Sequence, residues 1–131
     1  LLRESLIYPA VKHCCFQSTS YPLQRATPEI TRDFGYFALA NGCPTFIELT
    51  APLAMSEALL GNWAKAKEFA ESSPQDPWGY GPVILAAEGL RRNDREALVF
   101  WAKQGDGQNR EQRLESMARK LIAAEKEPDS N

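Results

Sequence analysis

The sequence predicts an all-α fold of six or seven helices stacked as antiparallel pairs, and three observations carry the prediction. Apolar residues recur at helical rather than alternating spacing. Stop and restart signals come at short intervals, at Asn41-Gly42, at Gly61-Asn62 and at the run Arg91 to Glu96. Finally, Ala51–Gln104 reads as one helix pair written twice, 31 residues apart, with identities at Glu57/Glu88, Leu59/Leu90, Asn62/Asn93, Ala66/Ala97 and Phe69/Phe100. Chance at ordinary composition gives roughly one or two such identities. A repeated helix pair argues for a binding scaffold more than for chemistry.

Taken in order, residues 1–17 carry apolar positions at helical spacing, with Pro9 set to kink or split that helix. A polar connection with Pro22 follows to Thr27. Thr27-Pro28-Glu29 is a start signal. Threonine caps, proline takes the first helical position without losing a needed N–H, and the carboxylate faces the positive helix end. The helix it opens should run to about Asn41, with Ile30, Phe34, Phe37 and Ala38 on one face.

The segment Cys43–Thr50 is ambiguous between strand, extended linker and early helical turn. Thr50-Ala51-Pro52 is expected to restart a helix that ends near Leu60 and Gly61, and Asn62 to cap the next one, carrying Trp63, Ala66, Phe69 and Ala70. After the Pro- and Gly-rich link around Trp78, the second pair repeats the pattern. Val83, Ile84, Ala87 and Leu90 line its first helix, Asn93 to Glu96 form a capping box, and Ala97, Phe100 and Trp101 pack between helices. Asn109 and Gln112 open a last helix to about Lys126, whose stripe is Leu114, Met117, Ala118, Leu121 and Ile122. The same spacing extends outward through Gly35, Ala66 and Ala97 and through Leu59, Leu90 and Leu121. The chain thus divides into an N-terminal helix and loop (1–27), a helical-repeat domain (28–126) and a frayed tail (127–131).

The two hairpins, quoted as LLGNWAKAKEFA and LRRNDREALVFWA, resemble tetratricopeptide repeats: a turn, a polar cap, the small Ala66 or Ala97, and an aromatic three residues later. The resemblance covers about residues 45–126. It departs from the family in its 31-residue unit where 34 is usual, in Leu85 at a small-residue position, and in Glu57 and Glu88 where an aromatic is usual. It implies a short right-handed α-α superhelix that holds a peptide or partner protein in a groove lined by the first helices of each pair.

Composition narrows the function classes. With 131 residues and a net charge of −2, the chain is long enough for one domain with a true core and lacks the basic footprint of a nucleic-acid binder. No apolar run reaches membrane-spanning length, so no membrane insertion is expected. Three cysteines, two of them adjacent, do not make a disulfide framework, and the expected setting is reducing and cytoplasmic. Beginning at Leu1, the chain reads as part of a longer protein.

Candidate chemistry is sparse. His13, Cys14, Cys15 and Cys43 lack zinc-ligand spacing and read as structural, so no metal, cofactor or catalytic residue is assigned. Glu57 and Glu88 recur at one phase, which fits two carboxylates lined up for a basic peptide or, alternatively, a solvated helix face. Arg91 and Arg92, with Arg95, fit a site for an acidic segment or ordinary complementation of a helix C-terminus. Trp78 and Tyr80 fit a partner anchor or a brace for the following helix. The expected function is therefore non-enzymatic: a protein-interaction or scaffolding module binding a protein or peptide partner, itself compatible with a homodimer. The alternative is a regulatory or sensory domain of a signalling protein or transcriptional regulator that takes a small ligand between helices.

Overall fold

The computed structural model describes residues 27–43, 47–72, 79–105 and 107–125, the side chains of residues 47 and 48 excepted. Among the described residues there are six helices and no strand: α1 (Pro28–Ala40), α2 (Ile47–Leu59), α3 (Trp63–Ser72), α4 (Tyr80–Arg91), α5 (Glu96–Lys103) and α6 (Arg110–Ala124). The expected helix over 1–17, its cysteines and His13, Trp78 and the tail lie outside them. None of the described helices is long and apolar enough to cross a membrane.

The start of α1 follows its sequence signal. Thr27 Oγ1 accepts the Ile30 N–H at 3.2 Å, Pro28 occupies the first turn and Glu29 lies beside the helix N-terminus. The start of α2 does not. It begins at Ile47, so Pro52 stands inside the helix and Thr50 is buried within it rather than capping it. Proline there removes one backbone hydrogen bond of the second turn, and the burial of Leu49, Leu53 and Ala54 outweighs that loss.

Three helices end in the same way. The N–H of Gly42 bonds to Leu39 O at 3.2 Å and that of Cys43 to Ala38 O at 3.0 Å. At α2 the pairs are Gly61 to Ala58 (3.0 Å) and Asn62 to Glu57 (2.8 Å), and at α4 they are Asn93 to Leu90 (3.0 Å) and Asp94 to Gly89 (2.9 Å). Each is a Schellman closure with a left-handed residue just past the helix end. Gly42 (φ 89°) and Gly61 (φ 84°) take that conformation without a Cβ, and Asn93 (φ 60°) is the non-glycine type that tolerates it best.

These closures correct the repeat. Gly61 corresponds to Asn93, and Glu57 to Gly89, so the structural period is 32 residues where the identities suggested 31. Asn62 and Asn93, aligned by identity, stand at successive positions of the same turn. The burial pattern follows 32: Ala66 matches Leu98 and Ala70 matches Ala102, all four buried, whereas Ala97 and Trp101 are partly exposed. The proposed capping box also changes. Asn93 terminates α4, and Asp94 Oδ1 accepts the Glu96 N–H at 2.9 Å to start α5.

Successive helices pack on one another, and the first helices α2, α4 and α6 also pack together, with α2 reaching α6. This places α4 in the middle. Gly81, Ile84, Leu85, Ala86, Ala87, Gly89 and Leu90 are all buried, a pattern that no single-sided helix can have. Small side chains let its neighbours close in: Ala54, Ala86 and Ala118, each 32 residues from the next, are at most 1% exposed. At the other end, α1 lies against α2 where a Cβ on Gly35 would stand 3.0 Å from Leu53 Cδ1. The first helices α2, α4 and α6 pack side by side. On their side lies a hollow of about 190 Å³ between Pro52, Met55, Leu59 and Tyr80, bordered by Pro28 and Thr31 of α1.

Cys43 is buried and disulfide-bonded. A bonded cysteine stands where a buried thiol was expected.

Candidate functional site

Glu57 is the first of the expected site residues to find a different place. It is 3% exposed, at the end of α2. Tyr36 of α1 donates its hydroxyl to Glu57 Oε2 at 2.5 Å, and Asn62 Nδ2 donates to Oε1 at 2.9 Å. Both carboxylate oxygens are therefore occupied within the fold, and Glu57 presents nothing to a ligand. Burial, with the bond to Glu57 adding to it, pushes the Tyr36 phenol well above the usual tyrosine range. The Tyr36 ring also packs on Phe69, with centroids 5.9 Å apart. This cluster ties α1 to the α2–α3 turn.

Glu88, one residue off the position equivalent to Glu57, is partly buried on α4. Arg92 grips it with two bonds, Nε to Oε2 at 2.7 Å and a terminal guanidinium nitrogen to Oε1 at 2.9 Å. The bonds to Arg92 outweigh partial burial and hold the Glu88 carboxyl below its usual range. Arg92 also lies 3.6 Å from Asp94.

The remaining expected residues separate. The Arg91 guanidinium sits 5.0 Å from the centroid of the Trp63 ring and pairs with Glu125 at 3.2 Å, joining the ends of α4 and α6 beside the start of α3. Arg95 bonds Glu111 at 3.1 Å and Glu115 at 2.8 Å, and Arg119 also holds Glu115, whose carboxyl is held down to about 2 by the two guanidinium groups. The arginine cluster is thus internal bracing rather than a free cationic site. Tyr80 packs on the core and borders the small hollow beside α1.

What the structure does bring together is a cleft of about 380 Å³ between α3 and α5, floored by α4. It opens because α3 and α5, the second helices of successive pairs, each pack on α4 but not along one another. Glu88 and Arg92 lie on its floor with Leu85, and Asp94 at the α4–α5 turn. Lys67 and Glu71, one helical turn apart, form the α3 wall; Glu96, Ala97 and Phe100 form the α5 wall. Four carboxylates thus face two cations.

Phe100, like Ile30 and Met117, lies outside the core that its spacing predicts. It is 52% exposed, where packing between helices was expected. The one-residue change of period explains it, since one residue turns a helix by about 100°. Phe69 is turned toward Tyr36, while Trp101 takes the equivalent inward place on α5 and leaves Phe100 facing out. The Trp101 ring meets Phe100 edge to face, centroids 5.0 Å apart at 87°. A signal was available: adjacent aromatics on one helix cannot both face the same core.

Another hollow of about 430 Å³ lies along α6 beside Arg113, Leu114 and Met117, the last 49% exposed. Among the described residues no three His, Cys, Asp or Glu side chains converge as a metal site. No protein-family model, curated protein or solved structure matches the chain.

Proposed function

We propose that this chain is a protein-interaction module, a short tetratricopeptide-like array of helix pairs that holds a segment of a partner protein between α3 and α5. The observation that carries this reading is Phe100, a large aromatic more than half exposed on the wall of a charged cleft. An exposed aromatic propped by a second ring and rimmed by charge is the composition of a binding anchor. The internal commitments of Glu57, Arg91 and Arg95 leave the cleft between α3 and α5 as the place where polar groups remain available.

The test compares capture of interacting proteins from native lysate by the parent, by Phe100→Asp and by Met117→Asp. Phe100 and Met117 are similarly exposed, so neither change should disturb folding. The reading expects a discrete set of proteins lost with Phe100→Asp and retained with Met117→Asp. Identical capture by all three would overturn it.

A further inference from the structure

The two walls of the cleft differ from its floor in how their charge is compensated. On the floor, Arg92 is shared between Glu88 and Asp94. On the walls, Glu71 of α3 and Glu96 of α5 form no ion pair among the described residues, and Lys67 is the one further cation lining the cleft. Phe100 and Glu96 stand four residues apart on α5, which places ring and carboxylate on one face, a helical turn apart. Leu85 on the floor and Ala97 and Trp101 on the α5 side supply apolar surface. The geometry is therefore an apolar seat with a negative group on either side.

Resting on the reading of the domain as an interaction module, we propose that the cleft selects a basic segment of its partner. In that segment an apolar side chain, seated on Phe100 and Trp101, is flanked by Lys or Arg residues that meet Glu71 and Glu96. Charge complementarity argues for this occupant. Four carboxylates against two cations disfavour an acidic or phosphorylated segment, which would bring like charges together while losing hydration. They also disfavour a second copy of the same cleft meeting this one face to face. An uncharged apolar segment could use the rings but would leave Glu71 and Glu96 partly desolvated and unpaired.

The experiment uses the full chain, isotope-labelled, and a matched set of short synthetic peptides with one apolar pattern: Lys/Leu, Gln/Leu and Glu/Leu. Amide chemical shifts are followed during titration with each. The Lys/Leu peptide should move the amides of Glu71, Glu96 and Phe100, and binding should weaken as salt is raised. Reversing both walls with Glu71→Lys and Glu96→Lys should weaken it about tenfold, at roughly 0.5–1 kcal/mol for each solvent-facing ion pair. Phe100→Ala should weaken it by about tenfold or more. Both glutamates are exposed, so unchanged amide positions elsewhere in the reversed variant verify its fold. If the Gln/Leu or Glu/Leu peptide moves the same amides as strongly as Lys/Leu, the charge preference is overturned and the cleft remains a docking site. If no peptide moves amides of α3 or α5, both the preference and the docking reading are overturned.

Discussion

Glu57→Ala and Glu88→Ala, made side by side, separate the two registers of the repeat. At 31 residues the glutamates are equivalent and should tolerate truncation equally. At 32 they are not. Glu57 is buried with both oxygens bonded to Tyr36 and Asn62, whereas Glu88 is partly buried and pairs with the half-exposed Arg92 one turn away. A hydrogen bond to a charged acceptor contributes about 1.5–3 kcal/mol, and truncation also leaves two donors without a partner. The carboxylate recovers its hydration on unfolding, which offsets part of that sum. The expected net loss for Glu57→Ala is about 3 kcal/mol. An ion pair within one helix contributes about 0.5 kcal/mol, and Arg92, itself half exposed, regains water when Glu88 is truncated, so Glu88→Ala should cost little. For a domain of this size 1 kcal/mol shifts the melting temperature by roughly 3–5 °C. Thermal denaturation followed by circular dichroism should then show Glu57→Ala lower than the parent by about 10–15 °C and Glu88→Ala lower by about 1–3 °C. Equal shifts, or a Glu57→Ala variant that melts within a degree of the parent, would refute the argument.

Further outcomes follow from the same contacts. Gly89→Ala should destabilise by about 1–3 kcal/mol although alanine is the better helix former, because its Cβ would stand 2.8 Å from the Asp94 carbonyl oxygen; a stabilised variant in urea denaturation contradicts this. Ala86→Leu should cost about 3 kcal/mol or prevent folding, since Ala86 is 0% exposed on the helix that all its neighbours surround, and a neutral result would remove α4 from the centre. The raised Tyr36 phenol makes stability fall at high pH. The folded chain keeps a proton that the unfolded chain loses above about pH 10, so this contribution is complete below that pH and declines above it, by at most about 1.4 kcal/mol per pH unit. The parent should therefore lose stability between pH 10 and 11.5 more steeply than Tyr36→Phe, and parallel curves would contradict the assignment.

Local signals that act through the backbone were legible in the sequence. Thr27-Pro28-Glu29 marks the start of α1, and Gly42 and Gly61 mark ends, because each residue type does at its position what few others can. Pro52 misled because proline marks a helix start far more often than it occupies a second turn, and only the packing of Leu49 and Leu53 shows why this helix begins earlier. The period misled for a related reason. Identity aligns Asn62 with Asn93, but αL geometry is taken by Gly61 in one turn and by Asn93 in the other. Nothing in residue type separates a cap from a left-handed terminator when both are asparagine. That single residue decides which face of each helix is inside, and hence that Glu57 is buried and Phe100 is not.

The site was less legible than the fold. Glu88 and Arg92 were singled out and do share the cleft floor, yet the walls that make it a cleft come from Lys67 and Glu71 on one helix and Glu96 on another. Their proximity depends on α3 and α5 failing to pack together, a tertiary fact without a local marker. Arg91 and Arg95 looked available because their partners, Glu125 and Glu111 with Glu115, lie 16 to 34 residues away in sequence.

Site-specific photo-crosslinking in cells tests the central claim most directly, with the reactive residue placed at position 100 in one variant and at position 117 in another. Both positions are about half exposed, so chance encounters should label them alike. The account predicts discrete partner adducts from position 100 that are absent or much weaker from position 117. Adducts of equal pattern and strength from both positions, or from position 117 alone, would contradict a docking cleft between α3 and α5.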